Sequence, residues 1–174
     1  MGNCIQGAFA EAAAAAGGAW TELADVTLGA DATPFTTGTF TASRILFFQL
    51  MSVGNGVGNT LEMSFNSDTG TNYSSRREVD GDTDQTYVNA ANITMGSDNN
   101  ILCTVLGYIY SEASRIKTQV SWTLKPATSA SAAPQRFEIA GNWINTSDDI
   151  TSIQITAEGT DIKENSRLTV LGTS

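Results

Sequence analysis

The stretch Leu61-Glu62-Met63-Ser64-Phe65-Asn66-Ser67-Asp68-Thr69-Gly70-Thr71-Asn72-Tyr73-Ser74-Ser75-Arg76-Arg77 decides how the rest of the chain is read. Leu61 to Phe65 alternates apolar with polar residues, the pattern of a half-buried strand. Asn66 to Asn72 then holds the residue types that tolerate left-handed backbone and hydrogen-bond their own main chain, so a tight connection is expected there. An aromatic residue stands at each end of that turn, and two arginines follow it. A second acidic turn, Asp80-Gly81-Asp82-Thr83-Asp84, comes soon after. Decorated turns between strands, with no catalytic motif beside them, are the most distinctive chemistry in the sequence.

Working outward, the same grammar of short strands and polar turns covers most of the chain. Trp20 to Leu28 reads as a first strand or pair of strands, and Phe35 to Phe40 surrounds a Thr-Gly turn. Ile45-Leu46-Phe47-Phe48-Gln49-Leu50-Met51 is nearly all apolar and predicts a central strand buried on both faces. Tyr87 to Met95 and Ile101 to Tyr110 follow, the second also as a buried strand. Val120-Ser121-Trp122-Thr123-Leu124 alternates cleanly. Phe137 to Ile144, Ile150 to Ala157 and Leu168 to Leu171 complete roughly eight to ten strands at short spacing, the signature of an antiparallel β-sandwich. With that strand number a jelly-roll-like arrangement is preferred.

One segment departs from this grammar. Ala8 to Ala16 is interrupted only by Phe9 and Glu11, and alanine has the highest intrinsic helix propensity. A helix is expected over 5–16, ended by Gly17-Gly18. It carries little apolar bulk beyond Ile5 and Phe9, and so short a helix is marginal alone. It is expected to order by contact with another chain. The chain therefore divides into a helical arm over 1–17 and a single β-domain over 18–174.

Composition narrows the function. The 174 residues carry a formal charge of -9 and only 16% charged side chains, which argues against nucleic acid as a partner. No histidine occurs, so Ser-His-Asp and Cys-His triads, His-ligated zinc and imidazole acid–base catalysis are impossible within this chain. Cys103 sits in the apolar run Ile101 to Leu106 and reads as a small core residue. No apolar run approaches the roughly 18 residues of a membrane span, so no membrane partner is expected. Met1-Gly2-Asn3-Cys4-Ile5-Gln6 is close to a lipidation signal, but Gln6 stands where Ser or Thr is required.

The alternating acids Asp80, Asp82 and Asp84, with Asp68 in the first turn, are the candidate cation ligands. Calcium needs six to eight oxygens brought round by a turn. The closing bidentate acid is missing, however, and Asx-turns account for the same residues, so no metal or cofactor is expected. Paired carboxylates for glycoside hydrolysis are not singled out either. Tyr73, Trp122 and Trp143 are read as interface anchors, because large rigid side chains dominate such contacts. Arg76 and Arg77, beside Glu78 and Asp80, are read as partners for acids of a neighbouring chain.

Three stretches in order, Gly18-Ala19-Trp20-Thr21-Glu22-Leu23, Asp68-Thr69-Gly70-Thr71-Asn72-Tyr73 and Ile153-Gln154-Ile155 leading to Leu168-Thr169-Val170-Leu171-Gly172, resemble the small β-sandwich modules of tailed-bacteriophage virion proteins, found in tail fibres, appendages and capsid decorations. The resemblance spans residues 18–174. It implies a virion location, a non-enzymatic structural or attachment role, other virion proteins as partners and a homo-oligomer, commonly a trimer. The competing expectation is a carbohydrate-binding module that presents loops and aromatics to a host-surface glycan.

Overall fold

The computed structural model describes residues 20–53, 60–97 and 102–173. The helix expected over 5–16, with Ile5 and Phe9, lies outside them. The described residues form antiparallel strands in two sheets. In chain order they are β1 (Thr21–Thr27), β2 (Phe35–Thr36), β3 (Ile45–Ser52), β4 (Thr60–Phe65), β5 (Tyr73–Val79), β6 (Gln85–Ala90), β7 (Ile93–Ser97), β8 (Cys103–Tyr110), β9 (Lys117–Lys125), β10 (Gln135–Trp143), β11 (Ile153–Ala157) and β12 (Arg167–Thr173).

The larger sheet has eight strands in the order β1-β12-β3-β8-β9-β10-β5-β6, and the smaller has four in the order β2-β11-β4-β7. Their inner faces meet in one core that includes Phe48, Leu50, Met63, Phe65, Ile93, Val105, Ile155 and Val170. Set the hairpins β5–β6 and β9–β10 aside, and β1-β12-β3-β8 remains against β2-β11-β4-β7. The hairpins extend the large sheet beyond β8, and β10 pairs with β5 in continuous register from Phe137–Val79 to Trp143–Tyr73.

Several expectations change. Tyr87 to Met95 is not one strand. It divides between β6 and β7, which belong to different sheets. β5 is a full strand that alternation could not reveal, because its inward positions include Ser75 and Arg77 and its outward ones Ser74 and Arg76. Ile45 to Met51 lies in the middle of the large sheet, yet the described residues bury only one of its faces. Leu46, Phe48 and Leu50 are fully buried, whereas Ile45 and Met51 are exposed. The same holds for β8, where Cys103, Val105 and Ile109 point inward and Tyr108 is 44% exposed. Cys103 is the small core residue expected of it.

Strand β9 is patterned inside out. Its inward side chains are Lys117, Gln119, Ser121 and Thr123, all buried, while Val120, Trp122 and Leu124 face outward and are exposed. Neighbouring strands explain this. Gly107 and Gly141 flank β9 at inward positions, and a Cβ at each would lie 2.9 Å from Phe48 and 2.8 Å from Ile93 respectively. Phe48 and Ile93 thus occupy the space above the two glycines, beside Ser121 and Gln119 on the strand between them. Thr123 adds a bond between the sheets by donating its hydroxyl to the Met95 carbonyl at 2.7 Å.

Candidate functional site

The two decorated turns are structural. In the first, Asn66 and Ser67 adopt left-handed backbone, with φ of 52° and 57°. Asn66 Oδ1 accepts from the Thr151 and Ser152 amides, which ties the turn to the approach of β11. Asp68 Oδ1 accepts from the Gly70 amide at 2.8 Å. Its Oδ2 accepts from Asn72 at 3.0 Å and from the Trp143 indole nitrogen at 2.7 Å. Burial would raise the Asp68 pKa, but donation from Asn72, Trp143 and the Gly70 amide outweighs it and holds the carboxyl below its usual range.

Tyr73 and Trp143 are not surface anchors. They are paired across β5 and β10, stack at 6.2 Å between ring centroids and are both 1% exposed. The Tyr73 hydroxyl accepts from the Phe65 amide at 2.9 Å, so it closes the turn from inside. Expecting them at an interface failed because each is the inward residue at the end of its strand.

The second turn is tied down in the same way. Asp80 accepts from the Arg136 amide, and its own amide donates to the Arg136 carbonyl. Asp82 accepts from the Thr83 amide, and Asp84 pairs with Arg76 at 2.8 Å. Among the described residues, no group of three or more acids, cysteines or histidines is placed to hold a metal ion. Arg77 bonds Gln85 and lies over the rings of Phe137 and Tyr87. Both arginines therefore have partners within their own chain.

A different feature stands out as a site: the outer face of the large sheet. On β3 the outward residues are Ile45, Phe47, Gln49 and Met51, and on β8 they are Thr104, Leu106, Tyr108 and Tyr110. On β9 they are Thr118, Val120, Trp122 and Leu124. No outward position on these three adjacent strands carries a charge, in a protein of net charge -9. The register makes the face continuous. Leu171, Phe47, Tyr108 and Val120 form one row across β12, β3, β8 and β9, and Gln49, Leu106 and Trp122 form the next. Trp20 joins the first row, with its ring 6.2 Å from those of Phe47 and Tyr108.

Charge returns only at the margins of this face. Arg136 and Glu138 pair at 3.3 Å on β10, and Arg167 pairs with Asp25 beside β12. An uncharged, aromatic-rich centre with a charged rim is the anatomy of a protein–protein interface. Of the anchors expected from sequence, only Trp122 lies on it. Tyr108 and Leu106 were missed because they sit in a run that reads as wholly buried.

Comparison with protein-family models, with curated proteins and with solved structures finds no match.

Proposed function

We propose that this chain is a non-enzymatic structural protein of a tailed-bacteriophage virion, assembled as a closed homo-oligomer, a trimer, in a capsid decoration or a tail appendage. The observation that carries the proposal is the uncharged apolar face across β3, β8 and β9. Apolar patches of this kind mark interaction sites, because leaving them in water is costly. Strand order supports a jelly-roll reading. In chain sequence β1 to β4 alternate between β1-β12-β3-β8 and β2-β11-β4-β7, β4 and β7 pair within the smaller sheet, and β8, β11 and β12 alternate again, with two hairpins added to the larger sheet. The described turn acids are engaged by backbone amides, an indole and an arginine, which favours a scaffold over a catalyst.

The test is location. In virions purified from a phage that encodes this chain, quantitative mass spectrometry is expected to find it at a copy number that is a multiple of three. Its absence from particles would end the virion proposal.

A second reading, a glycan-binding module, is favoured by one feature. Trp122 borders a shallow concavity shared with Arg76, Glu78, Asp84 and Glu138, which sets an aromatic face beside polar groups able to bond sugar hydroxyls. Saturable quenching of tryptophan emission by a host-surface polysaccharide would favour it.

A further inference from the structure

We infer that the outer face of the eight-stranded sheet, centred on Leu106, Tyr108 and Trp122, is covered by the same face of neighbouring copies of this chain around a shared axis. This rests on the homo-oligomeric reading above and makes this face, rather than the N-terminal arm, the main contact. Charge selects the occupant. Two copies that each carry -9 repel over most of their surfaces. At the outward positions of β3, β8 and β9 they can meet without setting like charges together.

Area agrees. The exposed parts of Trp20, Met51, Tyr108, Val120, Trp122 and Leu124 amount to roughly 500 Å², against about 800 Å² per partner in a standard interface. Half-buried Phe47, Leu106 and Tyr110 add to that. In a trimer, three such faces turn toward the axis and each touches both neighbours, so identical surfaces cover one another in a closed arrangement.

The inside-out strand β9 fits the same picture. Val120, Trp122 and Leu124 lie on the outer side, and the inner side, pressed by Phe48 and Ile93, carries short or polar residues. The sequence places the bulk of this strand on a side that the described residues leave open. That pattern raises the cost of a lone chain and lowers it in the assembly.

The experiment compares Tyr108→Glu and Trp122→Glu in the full chain with Val88→Glu, a control at an exposed apolar position on edge strand β6. Size-exclusion chromatography with light scattering gives the mass, and thermal melts report folding. Each face variant is expected to weaken association at least about thirtyfold, the loss typical of an interface hot spot. Val88→Glu is expected to leave association unchanged. If the face variants keep the wild-type mass, or Val88→Glu alone dissociates the oligomer, the inference fails and the oligomeric reading stands. If the unmodified chain is itself a monomer, both fail.

A readout that needs no variant is tryptophan emission on dilution of the unmodified chain. Trp143 is buried within the chain, so a red shift on dissociation reports Trp20 and Trp122 entering water. Dissociation with unchanged emission would overturn the inference.

Discussion

The indole nitrogen of Trp143 donates to the Asp68 carboxylate at 2.7 Å and joins the end of β10 to the turn after β4. One acid thereby fixes its own turn, through Gly70 and Asn72, and the position of a large core ring. The turn that looked like half of a cation site is a clasp between the two sheets.

Replacing Asp68 with Asn should therefore destabilise the fold by about 1–2 kcal/mol at neutral pH, because charge-assisted bonds are lost while the shape is kept. The pH dependence follows from the lowered carboxyl pKa. Its contribution is fully present above the unfolded value of about 4 and is lost as pH falls through the lower folded value. Melting temperatures measured from pH 7 to pH 2 should show wild type and Asp68→Asn converging in acid. Parallel curves would contradict the role given to Asp68.

The inward face of β9 offers the opposite sign. Among the described residues, both amide atoms of Gln119 and the Ser121 hydroxyl are buried without a hydrogen-bond partner. Gln119→Met and Ser121→Ala should each raise stability by about 1 kcal/mol, since an unpaired buried polar group is removed with little change in shape. Urea denaturation would show this as a higher midpoint at unchanged slope.

Gly141 tests the explanation of that patterning. A methyl group there would lie 2.8 Å from Ile93 Cδ1, so Gly141→Ala should cost about 1–3 kcal/mol through overpacking. The double variant Gly141→Ala with Ile93→Val should recover part of the loss. Additive losses in denaturation would show that Ile93 does not fill that space.

Arg76 pairs with Asp84 at 2.8 Å, and the Arg76 side chain is 63% exposed. Exposed pairs contribute little, so Arg76→Ala should change stability by less than about 1 kcal/mol. Association should also be unaffected, because the partner of Arg76 is in its own chain. A large salt-dependent loss of association would restore the interchain role first expected for it.

Period-two alternation showed β4 and β9, apolar runs between turns showed most of the others, and turn chemistry placed the bends at Asn66 and Asp80. What alternation cannot tell is which of two faces is inside. In β9 the apolar set Val120, Trp122 and Leu124 faces outward and the polar set inward, a choice that alternation leaves open. β5 was illegible for a different reason. Ser74 to Arg77 is polar on both sides, and its pairing with β10 and β6 makes it a strand. The candidate site suffered most, since Ile45 to Met51 reads as buried on both faces and Ile101 to Tyr110 as another buried strand. Their outward halves are apolar without being covered by the described residues.

The most direct test of the account is the mass of the unmodified full-length chain at equilibrium. Sedimentation equilibrium between about 1 and 100 μM is predicted to give a closed species near 55 kDa, three times the 18.3 kDa of one chain. A single species of 18.3 kDa across that range would contradict it, because the uncharged face of β3, β8 and β9 would then have no copy to meet.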